Sequence, residues 1–116
     1  MSENMNIVIG NKYIVGETEC EVLTCNKEKE ILFLKEQDST LAFVLGAFKV
    51  VDGNKIIASS KMSFTVSESE MLETINLAFA NGEKAVNEAN VVSAIRNKYY
   101  RIPSPIAFEI AKWYLR

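Results

Sequence analysis

Phe64-Thr65-Val66-Ser67-Glu68-Ser69-Glu70-Met71-Leu72-Glu73-Thr74-Ile75 changes its hydrophobic period halfway along. Up to Val66 the apolar residues alternate, which is the period of a strand. From Met71 onward they recur at helical spacing, with Met71, Leu72, Ile75, Ala78 and Phe79 on one stripe. Ser67 to Glu70, between the two regimes, fits a capping box. The serine hydroxyl accepts an orphan backbone N–H, and the glutamate three residues on reaches back. Glu68, Glu70 and Glu73 then lie against the positive end of the helix dipole. This stretch divides one α+β domain, residues 1–116, into a β part (1–66) and a helical part (67–116).

Working back from it, Ile56 to Val66 reads as a strand with Ile56, Ala58, Met62, Phe64 and Val66 on one face. Asp52-Gly53 before it is a hairpin signal, because both central positions of a type I′ turn need positive φ. Thr40 to Val51 is the antiparallel partner, and Gly46 in its middle suits a bulge or bend. Ile31-Leu32-Phe33-Leu34 is apolar on both faces, as in a central strand covered from both sides. Cys20 to Cys25 alternates, with Cys20, Val22 and Thr24 on one face and Glu19, Glu21 and Leu23 on the other. Met5–Ile9 and Lys12–Val15 flank Gly10-Asn11 and suggest a tight hairpin. The expectation is an antiparallel meander of five or six strands, curled to a half-barrel, with two or three helices packed on one face.

Working forward, Asn81-Gly82 ends the first helix. Glu83 to Tyr100 reads as a second, interrupted near Asn87–Asn90, where asparagine lowers helix propensity. Ala85, Ala89, Val92 and Arg96 share a stripe of it. Pro103 stops it. Ser104-Pro105 supplies an N-cap and a proline at the first helical position. The last helix, Ile106 to Leu115, is apolar around most of its circumference. Ile106, Ile110, Trp113 and Tyr114 form one face, Phe108, Ala111 and Leu115 another, and Glu109, Lys112 and Arg116 a polar strip. Such a helix is buried in its own domain or against a partner. Phe108, Trp113, Tyr114 and Leu115 are therefore the candidate surface for a homodimer.

The chain has 116 residues, 48% apolar and 24% charged, the mix of a soluble globular protein. No apolar run approaches the ~18 residues of a membrane span. Met1-Ser2-Glu3-Asn4 does not open a secretory signal, so the expected location is cytoplasmic. The Lys-, Asn- and Ile-rich, Arg-poor composition resembles that of chains from AT-rich bacterial genomes or their phages.

Histidine is absent, which removes the usual general base, the usual metal ligand and every Ser-His or Cys-His nucleophile pair. Asp38 and Asp52 are the only aspartates. None of the five glycines begins a phosphate-binding loop. Cys20 and Cys25, five apart, point to opposite faces of a continuous strand and read as free thiols in a reducing compartment. Two cysteines without histidine do not make a zinc site. Two catalytic alternatives are weaker. Glu17, Glu19 and Glu21 alternate as carboxylates on one strand face do, but a solvated face explains them. Cys25 has Lys27 and Lys29 nearby to lower its pKa, but no base. Neither an enzyme, a metal site nor a cofactor is expected.

The net charge of −2 conceals a split. Residues 1–90 carry a net −6 and residues 91–116 a net +4, and all three arginines lie in the latter. Arg96-Asn97-Lys98-Tyr99-Tyr100-Arg101 interleaves cations with aromatics, a pattern of protein hot spots and of phosphate contact with base stacking. Arg96, Lys98, Tyr99, Tyr100 and Arg101 are the candidate partner-binding residues. The first expectation is a non-catalytic protein-binding module, such as an inhibitor or accessory protein of a phage or mobile element that blocks a nucleic-acid-handling enzyme. The second is direct nucleic-acid contact, which the overall acidic balance disfavours.

Overall fold

Alternating apolar residues between Lys12 and Ser67 build five strands. The computed structural model describes residues 7–116 and places β1 at Lys12–Val15, β2 at Thr18–Asn26, β3 at Ile31–Glu36, β4 at Thr40–Val51 and β5 at Lys55–Ser67. Three helices follow, α1 (Glu68–Ala78), α2 (Glu88–Lys98) and α3 (Ser104–Tyr114), so the class is α+β. The chain divides into two compact units, one up to Ser67 and one of Glu68–Arg116.

In the first unit each strand pairs antiparallel with the next. The meander is curled, as expected. Ile14 and Val15 pair with Lys55 and Ile56, and the sheet closes into a barrel. That closing pair is parallel because an odd number of hairpin-linked strands leaves the first and last running the same way. Five strands lie within the expected range of five or six, the stretch read as a further strand being Met5–Ile9. Met5 and Asn6 lie outside the described residues, and Ile7–Asn11 is irregular. It is held by Gly10 N–H donating to the Val22 carbonyl (2.8 Å) and Val22 N–H to the Asn11 carbonyl (3.0 Å).

Tyr13, Val15, Cys20, Val22, Leu32, Leu34, Ala42, Val44, Val50 and Ile56 form one buried cluster. A fully buried side chain of this kind contributes roughly 1.5–3 kcal/mol of transfer free energy. β3 is buried on both faces, as its run of four apolar residues requires. Ile31 and Phe33 alternate with Leu32 and Leu34, and all four are buried. Phe33 stacks on its register partner Phe43 with centroids 4.5 Å apart, and Phe64 tilts against Phe43 at 5.3 Å.

Two irregularities overturn facial assignments made from strict alternation. In β2 the register shifts between Val22 and Thr24, so Thr24 opposes Phe33 and Cys25 opposes Leu32. Thr24 thus leaves the face of Cys20 and Val22, and Cys25 joins it. Both thiols pack on the same inner cluster, Cys20 buried and Cys25 half-buried, and both are free. In β4 the shift between Leu45 and Phe48 falls at Gly46, where φ is +88°. Ile56 and Ala58 keep to the inner cluster, whereas Met62 opposes Phe43 and Phe64 touches it on the other face. The five β5 residues assigned to one face are therefore divided by the bulge. Asp52 and Gly53 adopt φ of +52° and +81°, as the hairpin signal requires.

In the second unit α1 starts directly after β5, and Met71 and Ile75 are buried on its stripe. It ends at Ala78, earlier than its apolar pattern, and Gly82 (φ +72°) follows in the turn beyond. The second helix does not run from Glu83. Asn87 is its N-cap, accepting the Asn90 N–H at 2.9 Å, so the residue read as an interruption is the start signal. Its buried stripe is Val91, Val92 and Ile95, not Ala85, Ala89, Val92 and Arg96. The cap of α3 falls one residue earlier than expected. Pro103 is the cap residue, and the Ser104 hydroxyl accepts from Arg96 Nη1 at 2.7 Å instead of capping. Glu109, assigned to a polar strip, is buried and accepts from Lys112 Nζ at 3.1 Å.

Candidate functional site

The basic-aromatic segment falls at the end of α2 and the turn into α3. Arg96 and Lys98 occupy the last turn of α2, where cations meet the negative end of the helix dipole. Tyr99 closes the helix by donating its N–H to the Ile95 carbonyl at 2.8 Å, and Ile102 N–H returns to the Tyr99 carbonyl at 2.9 Å. That tight turn separates the two tyrosines. Tyr99 is half-buried, with its hydroxyl 3.5 Å from Thr74 Oγ1 on α1. The Thr74 hydroxyl donates to the Glu70 carbonyl, so Tyr99 is the donor in that weak contact. Tyr100 is 71% exposed, the most exposed large apolar or aromatic side chain among the described residues.

The cations divide in the same way. Lys98 Nζ lies 5.8 Å from the Tyr99 centroid, and the Arg101 guanidinium 5.7 Å from that of Tyr100. Arg96 is tied to Ser104, which fixes its guanidinium across the α2–α3 turn. A shallow concavity of about 470 Å³ is lined by Ala89, Val92, Ser93, Arg96, Asn97 and Tyr100. The structure thus brings Arg96 and Tyr100 to one concavity, with Arg101 stacked on its aromatic rim. Lys98 and Tyr99 form a separate pair toward α1. Ala89, Ser93 and Asn97 join the lining without having been candidate binding residues. Their signal was available, since residues 89, 93 and 97 recur four apart on the exposed side of α2.

The remaining candidates lie in α3 with its cap and in β2 with the turn before it. Phe108 and Leu115 are 40% and 39% exposed, while Trp113 and Tyr114 are half-buried. Tyr114 donates its hydroxyl proton to Asn76 Oδ1, which ties it within the helical unit. Glu19 accepts from Gln37 Nε2 at 3.3 Å, Glu21 pairs with Lys35 at 3.6 Å, and Glu17 stands apart in the β1–β2 turn. Burial raises the Cys20 pKa, Lys61 acting against it, so this thiol is kept protonated. No group of three or more His, Cys, Asp or Glu among the described residues could hold a metal ion. No described helix is long and apolar enough to cross a membrane. No family model, curated protein or solved structure matches the chain.

Proposed function

We propose that this protein is a non-catalytic binding module that engages another protein through the α2–α3 corner, with Tyr100, Arg96 and Arg101 as its anchors. The supporting observation is Tyr100 itself. It is a large aromatic held in water, braced by Arg101 and set on the rim of a concavity that Arg96 also lines. Desolvating such a side chain rewards a partner, and tyrosine and arginine dominate measured hot spots. In this reading Arg96, Tyr100 and Arg101 act together.

The test uses immobilised full-length protein, lysate of the native host, and identification of what is retained. Retention of one protein that falls about 30-fold or more in affinity with Tyr100→Ala or Arg101→Ala, and not with Lys27→Ala, supports the reading. Retention equal in all variants overturns it. A parallel titration with single-stranded oligonucleotide covers the rival. Binding that collapses with added salt and with Arg96→Ala replaces the protein partner by nucleic acid.

A further inference from the structure

We propose that the seam between β1 and β5 is a strand-docking edge that takes an extended segment of another protein, apolar at alternate positions and acidic where it meets Lys55. β1 stops at Val15 because Gly16 (φ +66°) and Glu17 turn the chain back into β2. It pairs with β5 only at Ile14–Lys55 and Val15–Ile56. β5 continues to Ser67, bonded to β4 on one side. On the other side no strand pairs with Ile57–Ser67 among the described residues. An edge of this kind offers a row of backbone donors and acceptors to an incoming strand.

The edge also has a place for side chains. A cleft of about 460 Å³ opens where β1 ends, lined by Ile14, Val44, Ile56, Ile57 and Ala58 among others. That volume lies in the range of ligand sites, roughly 300–1,000 Å³. Ala58, Ser59 and Ser60 are small, and Ser59 and Ser60 are exposed. Ile57 is 53% exposed and gains burial from an added strand.

Charge selects the occupant. Lys55 and Lys61 both line the cleft. Lys61 is already paired with Glu36 at 2.7 Å, but Lys55 has no ion-pair partner among the described residues. A second copy adding its own β5 would bring more lysine and no carboxylate, because residues 55–67 contain no Asp or Glu. An acidic strand from another protein is the complementary occupant. This site lies in the first unit and is independent of the α2–α3 corner.

The test follows backbone amide signals of the full chain by NMR during titration with an acetylated, amidated peptide of alternating valine and threonine with glutamate at both ends. The expected result is saturable shifts confined to Ile57–Lys61 and Ile14–Gly16. Methylating one alternate set of peptide nitrogens abolishes the shifts and methylating the other set leaves them, because one edge of the added strand faces β5. Lys55→Ala, which leaves the remaining spectrum unchanged, weakens binding about two- to fivefold. No saturable shift, shifts elsewhere, or equal tolerance of both methylated peptides overturns the proposal. So does a change of the same amides with protein concentration alone, which would make a second copy the occupant.

Discussion

Gly46 is the residue on which the barrel's curvature turns. Its φ of +88° lies where only glycine is comfortable, and a Cβ there would come within 2.7 Å of the Ser59 side chain. Gly46→Ala is expected to destabilise the fold by about 1–3 kcal/mol in urea titration. Adding Ser59→Gly removes the clash but not the backbone strain, so it should restore only part of the loss. Cys20 gives a pH-dependent signature. Its folded pKa is raised above the ordinary 9.0 by burial. As pH climbs past that ordinary value the unfolded chain loses the thiol proton first. The stability that the protonated thiol contributes is therefore complete below about pH 9 and declines as pH rises through the folded pKa. Wild type should lose more stability than Cys20→Val between pH 8 and 10.5, by denaturant unfolding at each pH. Equal losses would contradict the sign.

At the scale of elements, α2 shows how a cap outranks propensity. Asparagine is a poor helix interior residue and one of the best N-caps, so Asn87 ends the irregular stretch 83–87 and starts the helix. Asn87→Ala is expected to cost about 1 kcal/mol, read from the midpoint of chemical denaturation at unchanged slope. The helix period of α1, the doubly apolar β3 and the Asp52-Gly53 turn were legible because each rests on interactions within a few residues. The bulge in β4 was signalled by Gly46, whereas the one in β2 was not. A register shift is decided by the neighbouring strand, and the residue that slips carries no mark of its own beyond Gly46. Of the proposed binding segment, its position at the end of the second helix and before Pro103 was legible. That Tyr99 turns toward Thr74 while Tyr100 stays in water follows from the turn geometry, which residue types alone do not specify.

Over the whole molecule, closure is what turns a meander into a barrel. β1 contributes only four residues, and its two-residue parallel contact with β5 completes the enclosure of the inner cluster. Leu32 lies in that cluster with no exposure. Leu32→Ala should cost about 2–5 kcal/mol, because a cavity in a closed barrel has little room to collapse. A loss under 1 kcal/mol in denaturant titration would show a core that rearranges freely. The charge split also acts at this scale. With net −6 in residues 1–90 and +4 in residues 91–116, the proposed binding segment lies in the basic part of a chain that is acidic overall. That arrangement favours a partner with a local acidic patch over a uniformly anionic polymer.

The order of strands and helices, the place where one gives way to the other, and the lack of histidine-based chemistry were determined by the amino-acid sequence alone. Each depends on hydrophobic period, turn chemistry or composition, which act locally or not at all through space. Barrel closure, the shared face of the two cysteines, the burial of Glu109 and the open edge of β5 were decided only by tertiary structure. Each depends on which residue of a distant strand or helix turn lies opposite, and a one-residue slip in that pairing exchanges inside for outside.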